Sequence, residues 1–279
     1  MNDGMRPIST DTGLAAQAIE LAYGNTPVFA DMSIDVAPNR FTVLLGPNGS
    51  GKSTLLCALA RLHRPARGYI LLNGSDIFRH PTKEVAKKLG MLAQQNHTPE
   101  GLSVFDLVSR GRYPHQGFLK QWSEEDARAV EEALSVTGMS ELAERAVDSL
   151  SGGQRQRAWI AMVLAQETPI LLLDEPTTFL DMAHQADLLD LLQQLNTDMG
   201  RTVIAVLHDL NQACRYATHI IAMCEGTVVA EGRPADVVTE EMLEKVFDLP
   251  CMIIEDPITA TPHVIPRNRR RPVNGTDAT

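Results

Sequence analysis

The 279-residue sequence contains no apolar run close to the roughly 18 residues that a membrane-spanning helix needs. Residues 1–13 are polar and lack the apolar stretch of a secretory signal peptide. Together, these absences predict a protein that is made and kept in the cytoplasm. We expect residues 1–13 to form a disordered N-terminal tail.

Cysteine is scarce, and positive charge does not exceed negative charge. The four cysteines are far apart and form no C-x-x-C pair, which favours reduced core residues over disulfides or metal ligands; they are Cys57, Cys214, Cys224 and Cys251. The formal net charge of -10 argues against a general nucleic-acid-binding surface. The densest basic segment, residues 267–271, is predicted to be a solvated tail, with attraction to an anionic membrane surface as the alternative.

A glycine-rich segment between a predicted strand and a predicted helix is the most informative feature that the sequence contains. It has the pattern G-x-x-x-x-G-K-[ST] and consists of Gly46, Pro47, Asn48, Gly49, Ser50, Gly51, Lys52, Ser53 and Thr54. Such a loop points backbone N–H groups at a phosphate, next to the positive end of a helix dipole. Lys52 would bring charge to the outer phosphates, and the Ser53 hydroxyl would bind Mg²⁺. A glycine-rich turn is the alternative, but the apolar strand before it (41–45) favours nucleotide binding.

Two further apolar strands end in residues that suit phosphoryl chemistry. Residues 170–173 lead into Asp174 and Glu175, and residues 203–207 lead into His208. Because ligands of open α/β sheets bind at the carboxyl ends of parallel strands, we expect these groups around the same nucleotide. Asp174 would hold Mg²⁺, Glu175 would accept a proton from the attacking water, and His208 would hydrogen-bond the γ-phosphate. Taken singly, the acidic pair could cap a helix and the histidine could be structural.

The segment that begins at Leu150 is typical of a capped helix. Ser151 and Gln154 fit an S-x-x-Q capping box, and Gly152 and Gly153 lie between them. A capped N-terminus that contains glycines can also bind an anion. In sequence, the segment resembles the signature of ATP-binding-cassette (ABC) ATPases, and the resemblance covers about residues 14–250. It implies that residues 151–154 close on ATP held by a second subunit.

The same resemblance assigns roles to residues outside the signature. It implies that Tyr23 stacks on adenine. It also implies that Gln94 binds Mg²⁺, takes part in catalysis and links the nucleotide site to a helical insertion, with Gln95 as the alternative. Asp181 would belong to a loop that crosses the dimer interface, and His208 would be the switch histidine.

Longer stretches resemble the ATPases of bacterial iron-siderophore importers, including ferric-citrate-type systems. The similar stretches are residues 94–104, 164–169, 174–181 and 207–213. The resemblance implies the ATP-hydrolysing motor of an importer at the cytoplasmic face of the inner membrane. Its partners would be a second copy of the ATPase, an integral membrane permease and, indirectly, a substrate-binding protein, with no nucleic acid. Haem or cobalamin importer ATPases, or a soluble ABC ATPase without a membrane partner, are the alternatives.

These patterns predict an α/β protein with the P-loop NTPase core of the ABC type. An N-terminal antiparallel β subdomain and a helical insertion over about residues 95–166 are expected to flank that core. We expect a single ATPase domain over residues 14–250 and an irregular extension over residues 251–279. Within the domain, a hairpin turns at residues 225–226 and a last helix covers residues 240–247.

Overall fold

The computed structural model describes residues 13–24, 26–94, 100–117 and 122–267. Three predictions therefore lie outside the described residues: the tail over residues 1–12, the alternative glutamine Gln95, and the basic residues 268–271. None of the helices in the described ranges is long and apolar enough to cross a membrane.

The described residues alternate between strands and helices along most of the chain. The strands are β1 (Leu14–Tyr23), β2 (Thr26–Val36), β3 (Phe41–Leu45), β4 (Arg67–Leu72), β5 (Ser75–Asp76), β6 (Leu89–Leu92), β7 (Ile170–Asp174), β8 (Thr202–Val206), β9 (His219–Cys224), β10 (Thr227–Gly232), β11 (Cys251–Glu255) and β12 (Pro262–Pro266). The α-helices are α1 (Lys52–Leu59), α2 (Thr82–Ala86), α3 (Val104–Ser109), α4 (Glu124–Val136), α5 (Gly152–Ala165), α6 (Met182–Thr197), α7 (Leu210–Tyr216), α8 (Pro234–Val237) and α9 (Glu240–Phe247).

The central sheet has the strand order β10-β9-β3-β8-β7-β6. Strands β9, β3, β8, β7 and β6 run parallel, and β10 pairs antiparallel with β9 as predicted for that hairpin. Every residue of β3, β7 and β8 is buried, as expected for strands covered on both faces. Because these three strands are parallel neighbours, the residues that follow them meet at one edge of the sheet.

A second, antiparallel sheet packs against one face of the central sheet. Its strand order is β2-β1-β4-β5, and its apolar side shares a core cluster with α1. Leu55, Leu56 and Leu59 of α1 are fully buried in that cluster. This sheet is the predicted N-terminal antiparallel β subdomain.

Helices α3, α4 and α5 form the predicted helical region beside the other face. Buried Arg112 ties this region together: its Nε donates to Oδ1 of Asp126 in α4 at 2.9 Å, and its Nη1 donates to the carbonyl oxygen of Ala165 at 2.7 Å. The same Nη1 lies 2.7 Å from Oε2 of Glu167. Pairing of this kind is what a fully buried arginine requires.

The C-terminal segment corrects one prediction. Residues 251–267 are not irregular, because β11 and β12 form an antiparallel hairpin with Cys251 opposite Pro266. Cys251 and Val264 are buried on one side of it, which gives the hairpin an apolar face that packs on the core. Its prolines stand at the two ends of β12, positions where an edge strand tolerates the missing N–H. The short elements α2 and β6 were also not predicted.

Candidate nucleotide-binding site

The glycine-rich loop between β3 and α1 needs glycine at two positions for different reasons. At Gly46, φ is 153°, and a Cβ atom would lie 2.2 Å from the carbonyl oxygen of Met223. Gly51 precedes α1 with φ of 98°, and a Cβ atom there would lie 2.6 Å from the ring of Phe29. Side chains at these positions would clash with β9 and β2, so glycine lets the loop close over the start of α1.

Lys52 lies inside the loop. Its Nζ donates to the carbonyl oxygens of Gly46 at 2.9 Å and Pro47 at 2.8 Å, and the residue is buried. Burial lowers the pKa of Lys52, and the charges of Glu175 and Asp174 partly oppose that change. The Lys52 ammonium group therefore belongs to the N-terminus of α1, and no side chain caps that end of the helix. A cation at an uncapped helix N-terminus favours a bound phosphate.

Asp174 connects the end of β7 to the glycine-rich loop. Its Oδ1 accepts a hydrogen bond from Ser53 Oγ at 2.9 Å, and the residue is only 3% exposed. Burial raises the pKa of Asp174, the Ser53 hydrogen bond opposes this, and the nearby charge of Glu175 raises it further. Asp174 Oδ1 and Ser53 Oγ, two oxygen atoms of the kind that hard cations prefer, thus lie side by side.

Glu175 follows β7, His208 lies after β8, and the two side chains are in contact. His208 Nε2 lies 2.7 Å from Glu175 Oε1, and Thr178 Oγ1 donates to Glu175 Oε2 at 3.4 Å. The Glu175 side chain is 14% exposed whereas that of His208 is 49% exposed. The carboxylate is therefore the more enclosed of the two groups.

A cleft of about 320 Å³ runs beside the glycine-rich loop and reaches Glu175. It is lined by Tyr23, Val28, Asn48, Gly49, Gly51, Lys52, Ser53, Thr54 and Glu175. Tyr23 is about half exposed, and its ring and that of His63 form a T-shaped pair with a centroid distance of 5.0 Å. One chain thus brings the predicted aromatic residue, phosphate loop and carboxylate to a single cleft.

The predicted signature does not line that cleft. Ser151 caps α5 in the expected capping box: the Gln154 N–H donates to Ser151 Oγ at 3.3 Å, and the Ser151 N–H donates to Gln154 Oε1 at 3.1 Å. Ser151 and Gly152 are exposed, while Gly153 packs beside Leu180. The capped N-terminus of α5 therefore faces solvent in the single chain.

Two other predicted residues lie apart from the cleft lining. Asp181 caps α6, and its Oδ1 accepts from the main-chain N–H of His184 at 3.0 Å, which lowers the pKa of that carboxyl. Gln94 follows β6 and is exposed. Neither residue lines the cleft beside the glycine-rich loop.

Comparison with known families decides the class of this protein. Residues 29–178 match the family described as ABC transporter, and this segment is more than half of the 279 residues. The chain belongs to the ABC transporter family. Members of this kind are ATP-binding subunits that hydrolyse ATP, so the predicted family and activity are confirmed.

Individual relatives of this ABC ATPase are similar over nearly the whole chain. The ferric enterobactin transport ATP-binding protein of Escherichia coli is 53% identical over 259 residues, which is 93% of this chain and 96% of that protein. The achromobactin transport ATP-binding protein of Dickeya dadantii is 50% identical, with coverage of 94% and 97%. The hemin import ATP-binding protein of Rhodococcus jostii is 38% identical, with coverage of 92% and 87%.

Solved structures agree with the fold. An inward-facing ABC transporter described as of metal-chelate type matches with a TM-score of 0.78 and 30% identity, over 92% of this chain and 98% of that one. A dimeric bacterial ABC transporter cassette matches with a TM-score of 0.72 and 28% identity, over 79% and 98%. The predicted α/β fold of the ABC type is confirmed.

Several residues that shape the site were not found from the sequence. His63 contacts the ring of Tyr23, Gln156 donates to the carbonyl oxygen of Pro176 at 3.1 Å, and Gln185 and Gln212 form a side-chain pair. No local motif marks these amides and this imidazole. Their partners are distant in sequence, so only the folded ABC ATPase brings the contacts together.

Proposed function

We propose that this chain is the ATP-hydrolysing subunit of a bacterial importer for ferric siderophores. The observation that supports ATP hydrolysis is that Lys52, Ser53 and Glu175 line a single cleft, with His208 in contact with Glu175. The substrate class rests on the relatives. Those that transport ferric enterobactin and achromobactin are 53% and 50% identical, whereas the hemin importer subunit is 38% identical.

ATP binds along the cleft from Tyr23 to Lys52. The ring of Tyr23, about half exposed, stacks on the adenine. The loop over residues 46–51 and the N-terminus of α1 donate main-chain N–H groups to the phosphates. Lys52 exchanges its carbonyl partners for phosphate oxygens, a charge-assisted contact that is stronger than the one it replaces.

Mg²⁺ fits the oxygen pair of Ser53 and Asp174. Magnesium prefers a few protein oxygen ligands together with waters and substrate phosphates, and these two atoms lie 2.9 Å apart beside the phosphate loop. Bound there, it would neutralise charge on the transferred phosphoryl group. Gln94 is the further ligand that we propose from the family resemblance.

Glu175 is the proposed general base. It lies directly after the strand that ends in Asp174, so its carboxylate can reach beyond the phosphate loop to a water that attacks the γ-phosphate. His208 contacts the same carboxylate and is about half exposed, so it can hydrogen-bond the γ-phosphate. Together they orient the water and hold the charge that develops in the transition state.

Two copies would complete each ATP site. The exposed, capped N-terminus of α5 at Ser151 and Gly152 offers an anion-binding end that has no phosphate to bind in its own chain. Facing the phosphate loop of a second copy, it would close over the γ-phosphate, and Asp181 would lie at the seam. The dimer would drive an integral membrane permease from the cytoplasmic face of the inner membrane.

The substrate is tested by uptake in a strain that lacks this gene. We expect loss of uptake of ⁵⁵Fe-loaded catecholate, hydroxamate or citrate-type siderophores, restored by the wild-type gene, with haem and cobalamin uptake unchanged. Loss of haem or cobalamin uptake alone would assign the neighbouring substrate class and contradict the proposal. Normal uptake of the whole panel would exclude an importer role.

A further inference from the structure

The loops that carry Glu175 and His208 follow neighbouring strands and then diverge. After Glu175 the chain continues through residues 176–181 into α6, and after His208 it turns into α7. Glu175 and Phe179 have φ values of 51° and 68°, a left-handed conformation that is costly for residues with a side chain. A loop with two such residues keeps its shape only when surrounding contacts hold it.

Gln185, in the first turn of α6, supplies contacts of this kind. Its Nε2 donates to the carbonyl oxygens of Thr177 at 3.3 Å and Leu180 at 3.0 Å. Both amide hydrogens are then used, and Oε1 is left as the acceptor. The two carbonyls therefore fix which way the Gln185 amide is turned.

Gln212, in the first turn of α7, donates to that acceptor. Its Nε2 lies 2.8 Å from Gln185 Oε1. Its main-chain N–H donates to Oδ1 of Asp209 at 2.9 Å, which caps α7 directly after His208. Gln212 thus connects the cap of the helix that follows His208 to Gln185, and Gln185 holds the loop that follows Glu175.

The start of α7 is also held by the C-terminal hairpin. Asn211 Oδ1 accepts from the Val264 N–H at 2.7 Å, and its Nδ2 donates to the Val264 carbonyl oxygen at 3.3 Å. With its first turn anchored on β12, α7 provides a fixed support for Gln212. Helix α7 therefore restrains the loop over residues 176–181, because Gln212 contacts Gln185 and Gln185 contacts the loop.

We infer that Gln185 and Gln212 are positioning residues for ATP hydrolysis. They keep Glu175 and His208 in the relative placement seen in the structure, and they connect both to the loop that ends at Asp181. The inference rests on the proposed roles of Glu175 and His208. It adds that the shape of one loop is set by an amide pair that does not line the nucleotide cleft.

The test is steady-state ATPase kinetics of the full-length protein with single substitutions. For Gln212→Leu we expect kcat to fall about tenfold while the Kd for ATP changes less than about twofold, because the contact orders the loops and not the nucleotide. Gln212→Glu keeps the size but places an acceptor against Gln185 Oε1, so it should be at least as harmful. Gln194→Leu, at an exposed position of the same helix as Gln185, is the matched control and should behave like wild type.

A double-substitution cycle separates positioning from general destabilisation. If the pair acts as one unit, adding Gln212→Leu to Gln185→Leu should lower kcat little further. The inference would be overturned if the double variant lowered kcat by the product of the two single effects. It would also be overturned if Gln212→Glu kept both the wild-type kcat and the wild-type affinity for ATP. A wild-type protein without ATPase activity would instead contradict the proposed function, so the two failures can be told apart.

Discussion

Glu175→Gln is expected to lower ATP turnover by roughly 10²–10⁴-fold, the range typical of a lost general base, while ATP binding persists. The amide keeps the size of the carboxylate and can keep a contact with His208, which lies 2.7 Å away in the wild type. It cannot accept the proton of the attacking water. Lys52 and Ser53, which bind the phosphates and Mg²⁺ in our account, are unchanged.

The measurement is single-turnover and steady-state ATPase activity, with ATP affinity from a separate binding assay. Glu241→Gln, which removes an exposed carboxylate of α9, is the control for the change in net charge. Hydrolysis by Glu175→Gln at the wild-type rate would exclude Glu175 as the base. Loss of ATP binding together with turnover would show that Glu175 acts in binding instead.

The second large effect concerns the proposed ATP site that two subunits share. Ser151→Arg places a bulky cation at a helix N-terminus, where positive charge is unfavourable, and it removes the cap of α5. Lys52→Ala removes the cation of the phosphate loop. Each variant alone should lose nearly all ATPase activity, but Ser151→Arg should still bind ATP as a monomer through Lys52.

Mixing the two variants gives the sharper result. In a dimer of one Lys52→Ala and one Ser151→Arg subunit, both lesions fall on the same shared site, so the other site has both halves intact. An equal mixture should therefore regain about a quarter of wild-type activity, since half of the dimers are mixed and each has one of two sites. Ser123→Arg is the control, because Ser123 caps α4 in an equivalent capping box outside the proposed interface. Full activity of Ser151→Arg alone, with a rate linear in protein concentration, would contradict the shared site.

The positions of the candidate site residues in the fold were predictable where their signals are local. The pattern from Gly46 to Thr54 specifies its own conformation, since Gly46 and Gly51 have positive φ values that other residues rarely adopt. Asp174, Glu175 and His208 could be placed because each follows a fully apolar run, and buried parallel strands end at one edge of a sheet. The capping box of Ser151 was likewise readable from four consecutive residues.

What the sequence did not reveal depends on contacts between distant segments. The hairpin over residues 251–267 has prolines that favour an irregular end, and its stability comes from packing Val264 against the core and from the Asn211 hydrogen bonds. The Gln185–Gln212 pair joins residues from different helices. Neither arrangement has a local propensity signal, because each depends on where the central sheet places α7.

The measurement that tests the account most directly is uptake of ⁵⁵Fe-siderophore in the deletion strain complemented with wild type or with Glu175→Gln, at equal protein levels. The account predicts full uptake with wild type and background uptake with Glu175→Gln, because import is powered by hydrolysis in this cleft. Uptake by the Glu175→Gln strain at the wild-type rate would contradict the central claim.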